Sequence, residues 1–110
     1  MLPEKGKLLR IFIGESDRHD GLPLYEWIVR KAREIKMAGA TVFRGTEGFG
    51  AKSHLHTAKI LRLSQDLPIL IEIIDVEEKI DNFVEIIDPV IKEGIVTSEN
   101  VEVKFCRSGK

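Results

Sequence analysis

The sequence is short of the features that mark specialised chemistry. A single cysteine, Cys106, stands in 110 residues, which excludes an internal disulfide and a thiolate metal cluster; a small buried side chain is expected there. No apolar run approaches the roughly 18 residues of a membrane-spanning helix. The opening MLPEKGKLLR also lacks the apolar core of a secretion signal. A cytoplasmic protein without direct membrane insertion is therefore expected. Net charge is only −1, which gives no global attraction to nucleic acid. Neither a Walker pattern nor a Rossmann G-x-G-x-x-G pattern occurs.

What is present suffices for one small domain, with 43% apolar residues and no low-complexity tract. Charge is unevenly spread. Residues 1–65 hold 12 Lys/Arg against 7 Asp/Glu (net +5), and residues 66–102 hold 2 against 11 (net −9). That polarity suits a self-complementary homo-oligomer, or an anionic ligand held by the first half.

Along the chain, residues 6–14 alternate as a strand, with Leu9, Ile11 and Ile13 on one face and Leu8, Arg10 and Phe12 on the other. Residues 15–21 are a polar connection in which His19 reads as an exposed loop residue. A helix is predicted over 23–38, with Pro23 in its first turn and Gly39 as C-cap. Leu24, Ile28, Ala32 and Ile35 recur at helical spacing and face a sheet. Trp27 reads as a partly buried packing anchor. Arg30, Lys31, Arg33 and Lys36 read as solvated surface, since the aromatic interleaving of a nucleic-acid stripe is missing.

Residues 40–47 resume strand alternation, and Gly45, Gly48 and Gly50 then imply bends or close backbone approach. Residues 51–63 fit either a short strand or a loose helix, with a hairpin-like excursion preferred. The isoleucine-rich stretch 66–76 is the strongest strand, and its near-continuous hydrophobicity suits a central position. Its interior Glu72 calls for a wet interface or a partner, with Arg10 across the sheet the candidate. Asp75 and Glu78 have capping-box spacing before a second helix whose apolar stripe is Ile80, Phe83, Val84, Ile87 and Ile91. Pro89 ends that helix near Asp88. Residues 94–105 form a turn and a last strand, with Val101, Val103 and Phe105 alternating with Glu102 and Lys104.

The order strand, helix, strand, strand, helix, strand is that of an α+β, ferredoxin-like split β-α-β (βαββαβ) fold: an antiparallel sheet with both helices on one face. The other face, carrying Leu8, Phe12, Leu70 and Ile74, is left for another subunit to bury.

No catalytic group can be assembled from the sequence. Ser53 and His54 are adjacent, so in a strand they point to opposite faces. His54 and His56 share a face if extended but lack a third ligand, and no metal site is expected. Asp17, Asp20, Glu47 and Asp66 read as turn, loop and cap residues. The segment best suited to chemistry combines Arg44, Lys52, Lys59 and Arg62 with Gly45, Gly48 and Gly50. Glycines let backbone N–H groups converge on a phosphate, and arginine adds charge-assisted hydrogen bonds.

The run GATVFRGTEGFGAKSHLHT at 39–57, followed by LSQDLPILIEIID at 63–75, resembles the uncharacterised DUF190 family, which is similar in fold to the PII nitrogen-regulatory signalling proteins. The resemblance spans nearly the whole chain. It implies a trimer, with a loop at about 45–65 that contacts partner proteins, such as a membrane transporter or channel. It also implies that a nucleotide or other small anion sits in the clefts between subunits at the base of that loop. Two PII features differ. In place of a T-G-x-x-G-D-G-K phosphate loop stands KEGIVTSENV at 92–101, and the tail is CRSGK rather than an R-x-R-T-G motif. Lys92, Gly94, Arg107 and Lys110 are the residues placed to substitute. The tyrosine modified on some PII loops has no equivalent, since the only tyrosine is Tyr25. Two classes stay open: a ligand-responsive regulatory protein, and a constitutive trimeric interaction module with no small ligand.

Overall fold

A computed structural model describes residues 5–49, 66–109 and the backbone of 56–57. In chain order the elements are β1 (Lys5–Gly14), β2 (Arg18–His19), β3 (Leu22–Pro23), α1 (Leu24–Glu34), β4 (Ala40–Arg44), β5 (Glu47–Gly48), β6 (His56–Thr57), β7 (Pro68–Asp75), α2 (Glu77–Ile87) and β8 (Ile95–Glu102). The four long strands form one antiparallel sheet in the order β4-β7-β1-β8. This is the ferredoxin-like, PII-like α+β arrangement, with the two most apolar strands, β1 and β7, at its centre.

Alternation along the strands decides the layers. Leu9, Ile11 and Ile13 of β1 stand opposite Ile73, Ile71 and Ile69 of β7. All six join Leu24, Ile28 and Ala32 of α1 and Ile80, Phe83 and Ile87 of α2 in one buried cluster. Both helices therefore lie on that side. Burying each of these isoleucines contributes about 1.5–3 kcal/mol, which makes this layer the main source of stability. Trp27 packs at its margin, half-buried, with Lys31 Nζ 5.6 Å from its ring centroid.

Several local features depart from the pattern read in the sequence. His19 is not a free loop residue. It is half-buried in the β2–β3 pairing, its ring meeting that of Trp27 edge-on at 4.9 Å. Helix α1 stops at Glu34, short of Gly39, because Lys36 adopts the left-handed conformation (φ 64°). Met37 N then donates to Ala32 O and Lys36 N to Arg33 O, each at 3.0 Å. These paired bonds close a Schellman-type end at a lysine, where glycine is the usual choice.

Helix α2 begins at Glu77 after Val76, without a side-chain cap. The expected Asp75–Glu78 box does not form, because the Asp75 carboxylate is used elsewhere. Buried at 4% exposure, it accepts from Ala38 N (2.8 Å) and Val76 N (2.7 Å). It thereby ties the chain after α1 to the end of β7. Lys79 Nζ adds a bond to Lys36 O at 2.6 Å and lies 3.7 Å from Asp75. Strand β8 ends at Glu102 rather than 105, and Phe105 is exposed. Cys106, expected to be buried, is exposed in the segment that follows; the preference of cysteine for interiors does not operate once the chain has left the sheet.

Candidate functional site

Register brings the base of the 45–65 segment to one end of the sheet. Arg44, the last residue of β4, stands opposite Ile69 of β7, and Ile69 opposite Ile13 of β1. Just past β1, Glu15 meets Arg44: the guanidinium Nε and a terminal nitrogen converge on Glu15 Oε2 at 2.9 and 2.7 Å. The Arg44 side chain remains about half exposed (52%) and that of Glu15 less so (25%). Backbone bonds pin the same corner. Glu15 N donates to Leu67 O at 2.8 Å and Gly45 N to Pro68 O at 2.7 Å. Ser16 N donates to Asp66 Oδ1 at 2.9 Å.

Two of the glycines in this stretch have a steric reason to be glycine. A Cβ on Gly45 would fall 2.7 Å from Pro68 Cγ, and one on Gly48 would fall 3.0 Å from the same atom. The Pro68 ring occupies the space that side chains at 45 and 48 would need. Strands β5 and β6 pair Glu47 with Thr57 and Gly48 with His56, so an antiparallel backbone pairing exists where a hairpin-like excursion was expected. Gly50, Lys52, Ser53, His54, Lys59 and Arg62 lie outside the described residues.

The remaining site candidates sit elsewhere. Gly94 (φ 150°) lies against β1, where an added Cβ would come 2.5 Å from Phe12 O, and Lys92 beside it is exposed. Gly94 is thus near the level of Ile13 on the β8 side, while Arg44 is at that level on β4. Three strand spacings separate the two, about 14 Å. Their backbones therefore stand well apart within a subunit. Arg107 follows the far end of β8, where Glu102 pairs with Lys5. Its guanidinium lies over the Phe105 ring at 4.0 Å. The structure therefore groups Arg44, Gly45 and Gly48, and sets Lys92 with Gly94 and Arg107 apart from them and from each other.

Glu15 was absent from the sequence-derived site. The available signal was positional: in a βαββαβ sheet, the residue leaving the first strand lies two strands from the end of the second, within arginine's reach over the start of the third.

The helix-free sheet face is banded. Phe43, Leu70, Phe12 and Ile95 form one lateral row across all four strands; Leu70 is half-buried and the other three are exposed. The next row is polar, Thr41, Glu72, Arg10 and Thr97, and beyond it stand Ile74, Leu8 and Glu99. Of the four apolar residues expected on this face, Leu8 is already buried within the subunit, whereas Phe12 and Ile74 are exposed. Arg10 pairs with Glu72 at 3.0 Å, as its opposition in sequence pattern suggested, and also with Glu99. These bonds, Glu72 first and Glu99 second, hold the Arg10 guanidinium above its ordinary value. A raised folded value means its contribution is complete below the unfolded value and is lost only in strong alkali, so Arg10 stays cationic at every working pH.

Among the described residues no group of three or more His, Cys, Asp or Glu is arranged to hold a metal ion, and no helix is long and apolar enough to cross a membrane. A shallow groove of about 310 Å³ opens between α1 and β4, lined by Val29, Ala32, Arg33, Met37, Gly39 and Ala40. It lies at the opposite end of β4 from Arg44.

Comparison with known proteins agrees with this architecture. CPII from Thiomonas intermedia K12, a nitrogen regulatory PII-like protein solved with ADP, AMP and bicarbonate, superposes with a TM-score of 0.69 at 18% identity, covering 90% of this chain and 88% of that one. A second CPII structure, bound to ADP and bicarbonate, gives 0.67 at 19% identity over the same shares. At such identities the likeness speaks for the fold. Sequence relatives include a UPF0166 protein of Aquifex aeolicus, 42% identical over 101 residues (92% of this chain, 95% of the relative). A UPF0166 protein of Methanocaldococcus jannaschii is 35% identical over 90 residues, 82% of each chain. The model of DUF190, described as "Uncharacterized ACR", matches residues 6–103, and the chain therefore belongs to the DUF190 family.

Proposed function

We propose that this chain is a non-catalytic, PII-like regulatory protein. In this reading a trimer forms through the helix-free sheet face. A small anionic ligand, a nucleotide by preference, is held between subunits at the base of the 45–65 segment, and that segment engages a partner protein. The observation that carries the reading is the placement of Arg44. It is a half-exposed guanidinium at the end of β4, in a fold shared with CPII, which was solved with ADP. The separation of Arg44 from Gly94 by three strand spacings favours a site completed by a second subunit. Lys92 and Gly94 would then reach the ligand from a neighbouring copy, with Gly45 and Gly48 beside Arg44.

Calorimetric titration with ADP, AMP and bicarbonate at fixed salt tests the ligand. Arg44→Ala is expected to weaken ADP binding by about tenfold or more, the size of a charge-assisted hydrogen bond; unchanged affinity would reject the assignment. Light scattering tests the assembly, with three times the subunit mass expected.

A second reading, a constitutive trimeric interaction module without a small ligand, is favoured by one observation. Pro68 accounts sterically for Gly45 and Gly48, so neither glycine needs a phosphate to explain it. A thermal-shift panel of nucleotides and metal ions separates the readings, because only a ligand bound to the native state raises the melting temperature.

A further inference from the structure

We infer that Glu15 is a built-in competitor for the anion site. Its carboxylate occupies the Nε edge of the Arg44 guanidinium, so a phosphate takes that edge only by displacing Glu15. The inference rests on the reading of Arg44 as an anion contact and adds the element that sets its affinity and its selectivity by charge.

The geometry supports a contact that can be exchanged. Two guanidinium nitrogens converge on a single carboxylate oxygen at 2.9 and 2.7 Å, an arrangement that a phosphate oxygen reproduces. The Arg44 side chain is 52% exposed, so an incoming anion can approach it from solvent. Ion pairs this exposed are weak, which keeps the barrier to exchange low. Glu15 cannot withdraw far after displacement. Its own N–H is bonded to Leu67 O, and the next N–H, that of Ser16, is bonded to Asp66 Oδ1. The displaced carboxylate therefore stays close and repels the ligand, more strongly the more negative the ligand is.

The same bonds give the exchange a route outward. Arg44 immediately precedes Gly45, whose N–H is held by Pro68 O, while Glu15 is bonded to Leu67. Both ends of the 45–65 segment are therefore fixed next to the ion pair that a ligand at the Nε edge displaces. Occupancy of Arg44 would therefore change an ion pair that stands beside both of these anchor points.

The test is calorimetry with ADP, AMP and adenosine on the full chain, comparing wild type, Glu15→Gln, Arg44→Ala and the double variant. Glu15→Gln is expected to tighten ADP by up to about fivefold, the span of an exposed ion pair. AMP should gain less and adenosine nothing, and the gain should shrink as salt rises. In the Arg44→Ala background the gain should shrink to the part that comes from direct repulsion alone. An equal gain for adenosine would indicate general loosening and overturn the inference. No gain for ADP, with Arg44→Ala still weakening it, would also overturn it while leaving the anion site standing. If neither wild type nor Glu15→Gln binds ADP, both the site and its competitor fall. Should Glu15→Gln not fold, the Arg44 Nε–H resonance of the wild type supplies the measurement: a saturable shift on adding ADP is expected, and an unmoved resonance overturns the exchange.

Discussion

The two faces of the sheet are built from alternate residues of the same strands, yet they end in opposite states. On the helix side Leu9, Ile11, Ile13, Ile69, Ile71 and Ile73 are all at or below 6% exposure. On the other side Phe12, Phe43, Ile74 and Ile95 keep between 40% and 63%. Their polar groups differ in kind as well. The covered face closes with one carboxylate, Asp75, satisfied by backbone N–H groups, whereas the open face carries the Arg10, Glu72 and Glu99 cluster, which is satisfied by opposite charge. One face is completed by its own chain. The other holds apolar side chains at a density that a single subunit leaves unused, which is the pattern of a surface with a further partner.

The comparison can be broken most severely on the covered side. Phe83, fully buried at the centre of the helix layer, should cost about 3–5 kcal/mol as Phe83→Ala. Urea denaturation would show this as a lowered midpoint at unchanged slope, and a cost below about 1 kcal/mol would mean that the layer is not the main core. Asp75→Ala should cost less, about 1–3 kcal/mol, by leaving the Ala38 and Val76 N–H groups without their acceptor. Faster hydrogen exchange at those two amides checks the cause. The smallest stability effect belongs to the open face. Phe12→Ser should change the unfolding free energy of separated subunits by less than about 1 kcal/mol, since the ring is already 40% exposed. If the open face is the subunit interface proposed above, the substitution should nonetheless lower the mass seen in light scattering. A full-sized loss of subunit stability with unaltered mass would erase the distinction between the faces.

Period and composition carried most of the fold. The two alternating faces of β1, the central position of β7 and the stripe of α2 all followed from apolar spacing, and the Arg10–Glu72 pair followed from the need to neutralise a charge inside an apolar strand. What escaped depends on contacts between residues far apart in the chain. Asp75 serves Ala38 and Val76 rather than closing a box with Glu78, because the end of β7 passes the segment leaving α1. Lys36, not Gly39, takes the left-handed position because the carbonyls of Ala32 and Arg33 are the ones left to be closed. The cluster Arg44, Gly45 and Gly48 was legible as a special place, but its local chemistry was not. Glycine spacing alone does not distinguish a phosphate cradle from clearance for the Pro68 ring. Glu15 reads as one more residue of a polar connection until register sets it beside Arg44.

The Pro68 contact has a further consequence, for what the fold can tolerate. Gly45 and Gly48 abut the ring and Gly45 N is bonded to Pro68 O, so the chain departs from the sheet and rejoins it at adjoining points. The entropy of closing whatever lies between grows only logarithmically with its length, about 0.6 kcal/mol for each doubling. The stretch between Gly48 and Asp66 is therefore expected to tolerate another length at little cost beyond the β5–β6 pairing, provided Asp66 and Leu67 keep their bonds to Ser16 and Glu15. The sheet is in effect a socket: the scaffold is specified once, and the length of what is carried between its two anchored ends is left open.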